Sequence, residues 1–179
     1  MAEFQSRMVR AAKLDVDLYE EVEADQGAFG QAMAVVALSS IAAGIGRFGE
    51  GHLVGMLTGV LVAIVGWYIW AYLTYFIGTR LLPEPQTEAD HGELLRTIGF
   101  SSSPGLIRVF GIIPGLTEIV FFVASIWMLI AMVIAVRQAL DYESTWRAIG
   151  VCVIGWVVQS IMFVLLFTFL GSDPSGLSA

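Results

Sequence analysis

The chain reads as an all-α membrane protein: a bundle of five transmembrane helices preceded by a cytoplasmic amphipathic helix, with its third segment broken by Pro and Gly. Three observations lead there. Of 179 residues, 57% are hydrophobic and only 14% charged, against roughly 25% charged in soluble domains, so most of the chain has no water to face. Five apolar runs reach about the 20 residues that a helix needs to cross hydrocarbon. Lys and Arg gather at alternate ends of these runs, as the positive-inside rule requires.

Residues 1–28 are expected to form an N-terminal cytoplasmic or interfacial helix, 29–171 the transmembrane domain and 172–179 a short C-terminal tail. Residues 3–25 contain neither Pro nor Gly and read as one helix. Phe4, Met8, Ala11, Leu18 and Val22 fall near one face, with Asp15 interrupting the stripe. Charge is polarised along it: Arg7, Arg10 and Lys13 come first, then Asp15, Asp17, Glu20, Glu21, Glu23 and Asp25. One reading has the basic half touch anionic headgroups while Asp17, Tyr19, Glu20, Glu21 and Asp25 dock a partner. The plainer reading, which is the commoner use of a charge run, is a solvated helix packed on the inner loops. Because this region is largely polar, no cleavable signal peptide is expected, and the first span inserts the chain.

The first span, 29–46, is rich in Ala, Gly and Ser and suits close packing. The second, 53–78, is long enough to tilt, and Trp67, Tyr68, Trp70, Tyr72 and Tyr75 suit the bilayer interface. In the loop that follows, Asp90 and Glu93 have capping-box spacing, which predicts a short amphipathic helix leading into the third segment. That segment, 98–116, carries Ser101, Ser102, Ser103, Pro104, Gly105, Arg108, Pro114 and Gly115. It is either a kinked span or a re-entrant hairpin, since broken backbone survives in a membrane only where protein or water satisfies it. The fourth and fifth spans, 118–136 and 148–171, are uninterrupted. With five crossings, the N-terminus in and the C-terminus out, seven of the nine basic residues lie inside. Arg47 then falls outside and Arg108 within the third span. Were the third segment not to cross, Arg137 and Arg147 would face outward.

The formal net charge of -7 argues against nucleic acid as a partner. Cys152 is the only cysteine, so neither an internal disulfide nor a cysteine-based metal site is available. His52 and His91 lie on opposite sides of the membrane in this topology and cannot share a metal or a haem. The acidic loop 81–95 lacks metal-ligand spacing. Ser101, Ser102 and Ser103 have no histidine or carboxylate partner in their span and instead satisfy backbone loosened by Pro104. No catalytic, cofactor-binding or metal-binding residues are therefore assigned, and no enzymatic activity is expected. Arg108 and Glu118 flank the Pro114–Gly115 turn, ten positions apart. An ionisable group inside the membrane marks a functional site by default. The pair reads as a polar pocket for an ion, a proton or a lipid headgroup, or more plainly as a structural pair with a snorkelling arginine. Gly51, Gly55 and Gly59 form two overlapping G-x-x-x-G spacings, which serve packing inside one bundle or dimerisation.

Three stretches together carry a resemblance. They are Leu14-Asp15-Val16-Asp17-Leu18-Tyr19-Glu20-Glu21-Val22-Glu23-Ala24-Asp25 before an Ala-rich span; Gly92-Glu93-Leu94-Leu95-Arg96-Thr97-Ile98-Gly99-Phe100 closed by Pro104-Gly105; and Ala135-Val136-Arg137-Gln138-Ala139-Leu140-Asp141-Tyr142 followed by Arg147-Ala148-Ile149. In order and spacing, from Met8 to about Phe169, the chain resembles the YIP1 family, and its compact prokaryotic members most. The resemblance implies a five-helix bundle with a cytoplasmic N-terminus, no catalytic residues and, for a prokaryotic owner, the cytoplasmic membrane. Eukaryotic members work in Golgi and endoplasmic-reticulum trafficking with Rab GTPases. This chain departs from them in its short N-terminal arm and in Phe100, where the family often has Tyr, so Rab binding is not expected. The expected function is non-enzymatic: membrane organisation, trafficking-like or scaffolding roles through membrane lipids and a homo- or hetero-oligomer with other membrane proteins. Two alternatives stand beside it, a small-solute or ion transporter with Arg108 and Glu118 in its path, and an accessory subunit of a larger membrane complex.

Overall fold

The computed structural model describes residues 2–47 and 53–171; Gly51, His52 and the tail 172–179 lie outside the described residues. Its elements are α1 (Ala2–Ala12), α2 (Val16–Ala24), a 3-10 turn (Gln26–Ala28), α3 (Phe29–Gly46), α4 (Leu53–Phe76) continued by a π-helical turn (Ile77–Leu81), α5 (His91–Phe100), a 3-10 helix (Ser103–Ile112), α6 (Thr117–Ala139) and α7 (Thr145–Gly171). Among the described residues four helices are long and apolar enough to cross a membrane: Gln26–Gly46, Val54–Leu81, Thr117–Ala139 and Thr145–Met162. Their outward faces are apolar too, with Leu61, Val65, Phe122, Leu129, Trp156 and Ile161 all exposed. A surface of this kind belongs in lipid, so the chain is a multi-pass membrane protein.

The single N-terminal helix read from the sequence is corrected to two. Leu14 takes a left-handed backbone at φ 62, and the Asp15 amide bonds the Arg10 carbonyl at 3.1 Å, which closes α1 as a Schellman turn. Asp15 then caps α2, its carboxylate accepting from the Asp17 amide at 3.1 Å. A short acid that bonds its own backbone competes with the continuing helix. The break thus comes from Asp15 without any Gly or Pro. Folded back, the two helices bury Ala11, Leu18, Tyr19 and Val22 completely.

The capping box is present as expected. The Asp90 carboxylate accepts from the Glu93 amide at 2.9 Å and the Glu93 carboxylate accepts from the Asp90 amide at 2.7 Å. The helix it starts, α5, stops at Phe100 because Pro104 cannot join an α-helical ladder. Ser101 satisfies the freed Ile98 carbonyl at 2.7 Å, and the chain continues in the tighter 3-10 form. Gly115, at φ +84, turns it into α6. The stretch 98–116 is therefore a composite rather than one α-helical span.

A seam of small residues binds this composite to α3. A Cβ on Gly99 would lie 2.7 Å from the Ala32 Cβ, one on Gly105 would collide with the Ser39 hydroxyl, and one on Gly111 would lie 2.9 Å from the Gly46 carbonyl oxygen. The partners recur every six residues on one side and every seven on the other. Two 3-10 turns span about 12 Å and two α-helical turns about 11 Å, so the two repeats stay in register. The composite thus runs along α3 in the same direction, from near its start to its end. At the opposite end of the bundle, Gly78 admits the Leu140 side chain, joining the end of α4 to the end of α6.

Candidate functional site

The three stretches that carried the resemblance meet at one end of the bundle, beside α1 and α2. Arg96 of α5 is buried and donates to the carbonyls of Val22 (3.0 Å) and Glu23 (3.1 Å), satisfying the C-terminus of α2. The Gln138 amide donates to Glu20 at 2.9 Å. The buried Tyr142 hydroxyl shares its proton between the carbonyls of Leu82 (2.7 Å) and Gly78 (2.9 Å), locking the loop after α6 to the end of α4. Burial, joined by the charges of Asp141, Glu93 and Glu20, pushes the Glu23 carboxyl up to about 7.

The proposed partner-docking residues separate here. Tyr19 is fully buried and its hydroxyl points to the Ala11 carbonyl at 3.4 Å. Arg7, with 7% of its side chain exposed, pairs with Glu21 and Asp25 at 2.9 Å each and with Glu3 at 3.2 Å. Arg10 pairs with Asp15 at 2.7 Å and Glu21 at 2.5 Å. Hydrogen bonds from Arg10 hold the Glu21 and Asp15 carboxyls below the usual carboxylate range, and one from Arg7 does the same for Asp25. Asp17 and Glu20 stay on the surface. The arginines expected at headgroups are thus engaged within the protein, and sequence reading missed Arg7 as the tie because its acids lie 14 and 18 positions away.

At the far end the structure does not bring Arg108 to Glu118. Among the described residues no ion pair joins them; Glu118 is exposed on the first turn of α6. Arg108 turns toward the next part of α6, its Nη2 3.5 Å from the Ser125 hydroxyl and its guanidinium 5.6 Å from the centre of the Phe121 ring. Its neighbour there is Arg47, whose guanidinium lies 4.6 Å from the same ring. The arrangement depends on the end of the glycine seam: any Cβ on Gly46 would strike the Arg108 carbonyl, and one on Gly111 would lie 2.9 Å from Phe121 Cε2. The sequence offered no signal for Arg47, which reads there as a lone loop charge.

Between α4, α6 and α7, with α3 and the composite behind, lies an open cleft of about 1140 Å³. Its walls are chiefly apolar, including Val36, Trp70, Ile126, Leu129 and Trp156, with Ser39, Ser40, Ser102, Ser125, Gln159 and Arg108 as polar points. At the cleft's edge α7 meets α4 where Gly155 abuts the Trp70 ring, a Cβ there falling 3.1 Å from it. Beyond that contact Trp156 and Val157 line the open cleft and, with Ile161, are exposed. Of the glycine stripe, a Cβ added at Gly55 would meet nothing within 4 Å, and one at Gly59 would meet only the Ser40 hydroxyl at 4.0 Å. His91 is ringed by Tyr68, Tyr72 and Tyr75, with centroids at 5.4, 5.7 and 6.4 Å. Among the described residues no His, Cys, Asp and Glu group is placed to hold a metal ion.

Comparison with curated proteins and with solved structures yields no match. Comparison with protein families matches the Yip1 domain over residues 17–167. That range takes in α2, where Arg96 caps it, and runs through the composite seam to α7. With most of its length matched and its helices packed through the shared stretches, the chain belongs to the Yip1 domain family.

Proposed function

We propose that this is a non-catalytic membrane protein that organises its bilayer by holding lipid in the cleft between α4, α6 and α7. The cleft itself carries the reading. A ligand site of a few hundred to 1,000 Å³ with mainly apolar walls and a few polar points takes an amphipathic guest, and the cleft is of that size and character. Its walls are helices that cross the membrane, so lipid is the guest at hand.

Five crossings with the N-terminus cytoplasmic and the C-terminus outside complete the proposal, in the cytoplasmic membrane of a prokaryote. Two geometric facts support the fifth crossing. The composite of α5 and the 3-10 helix starts near Glu23, which lies by Glu93 and by Asp141 just past the end of α6, and finishes beside Phe121 near the start of α6. Ten α-helical and ten 3-10 residues extend about 35 Å, against a hydrocarbon core of about 30 Å. In this frame Asp17 and Glu20 are exposed on the cytoplasmic face for a protein partner. Gly55 and Gly59, which share their four-residue spacing with Gly51 in the sequence, line a helix face open to a second membrane helix.

The experiment is lipid retention. The protein is reconstituted into nanodiscs, returned to mild detergent and weighed by native mass spectrometry. Wild type should keep bound lipid. Gly66 lines the cleft, and a Cβ added to it would meet nothing within 4 Å, so Gly66→Phe should fill the cleft and reduce retention without loss of helix. Equal retention in both proteins would sink the proposal.

A further inference from the structure

Arg108 lines the cleft, and Arg47 shares the Phe121 ring with it; this decides what kind of lipid the cleft takes. Arg47 closes α3 and Arg108 belongs to the 3-10 helix, yet both guanidinium groups face the one Phe121 ring at 4.6 and 5.6 Å. A ring face attracts one cation, and a second beside it is repelled. Among the described residues neither arginine has a carboxylate within ion-pair distance. Among the described residues, the buried Nε of Arg108 has no hydrogen-bond partner, and its side chain makes one long bond, to Ser125. Buried donors of a guanidinium that lack partners are costly unless something accepts from them. The position is built rather than accidental, since only glycine at 46 and 111 lets the two elements come this close to Phe121. Arg108 is at the same time a wall of the apolar cleft. A guanidinium in the wall of an apolar slot, with a second one at the same ring, matches a phosphate followed by acyl chains, because guanidinium groups bind phosphate through two donors at once.

We infer that the cleft binds an anionic phospholipid, its phosphate held by Arg47 and Arg108 above Phe121 and its chains lying between α4, α6 and α7. The inference rests on the lipid-holding reading and adds the headgroup to it. Glu118 stands outside this site, exposed on the first turn of α6.

The test uses the full chain in nanodiscs of equal phosphatidylglycerol and phosphatidylcholine, with the lipids retained after detergent extraction identified by mass spectrometry. Wild type should retain phosphatidylglycerol over phosphatidylcholine in a ratio about tenfold above that of the disc, the equivalent of one good charge-assisted contact. Arg47→Gln/Arg108→Gln should retain a similar amount of lipid with the enrichment gone. Should the double variant not fold, Arg47→Gln alone, at an exposed position, should lower the enrichment several-fold. Retained lipid in the disc's own proportions would overturn the headgroup assignment and leave the lipid-holding reading standing. No retained lipid in wild type would overturn both. Removal of the enrichment by millimolar inorganic phosphate, with total lipid unchanged, would show that the arginines serve a free anion and would also overturn the inference.

Discussion

Replacing Arg7 by Met should release α1 from the bundle while leaving the spanning helices intact. Met keeps much of the apolar stem and removes the charge. The structure sets the size of the effect. Arg7 is nearly buried, but Glu3 is 72% exposed and Glu21 and Asp25 are 39% and 38% exposed. The Glu3 pair therefore contributes close to nothing. The other two are charge-assisted bonds at 2.9 Å, each worth about 1 kcal/mol after allowance for their half-solvated acids. Adding the lost bond to Gln31 at 3.2 Å, the total is about 2–3 kcal/mol. Local opening of α1 should then rise about 30- to 150-fold, read as faster amide exchange across α1 with α6 unchanged. The dependence on pH follows from the acids. Hydrogen bonds from Arg10 and Arg7 lower the folded carboxyl values of Glu21 and Asp25. Their contribution is thus complete above the ordinary carboxyl range of about 4 and fades as pH falls through the lowered values. In wild type α1 should loosen only in that acid window, and in Arg7→Met it should already be loose at neutral pH. Unchanged α1 exchange in the variant at pH 7 would refute the assignment of Arg7 as the tie.

Three further outcomes follow. Glu23, whose carboxyl sits at about 7, costs stability progressively as pH rises from its ordinary value near 4.5 through 7; Glu23→Gln should raise the thermal midpoint at pH 8 and give no gain at pH 4, and an equal gain at both would discount the buried-acid account. Gly99→Leu should force α5 from α3, costing about 1–3 kcal/mol or more, whereas Gly55→Leu, with open space before it, should leave the monomer's melting unchanged; the reverse order in a thermal-shift assay would contradict the seam. Tyr142→Phe leaves the Gly78 and Leu82 carbonyls without their shared donor and should destabilise by about 1–3 kcal/mol, visible as a lower melting temperature and faster exchange in the π-helical turn; no change in either would mean that water takes the donor's place.

Local patterns carried much of the architecture. The span read as 29–46 coincides with α3, and the Asp90–Glu93 capping box opens α5, because a hydrophobic run and a cap are interactions within a few neighbouring residues. The Leu14 break escaped notice for an equally local reason. Asp15 ends one helix by capping the next, and residues 3–25 offer no Gly or Pro to announce it.

Composition already dictated a membrane home, since a chain this poor in charge has no stable solution in water, and the order of its short stretches dictated the family. Packing added what no linear pattern contains. Gly55 and Gly59 stand out on paper, yet Gly46, Gly78, Gly99, Gly105 and Gly111 are far more crowded, and crowding depends on what lies opposite. Glu118 looked like the natural counter-charge of Arg108, but the seam along α3 carries Arg108 to Phe121 and Arg47 instead. The cleft, too, is walled by α4, α6 and α7, a relation between helices far apart in the chain.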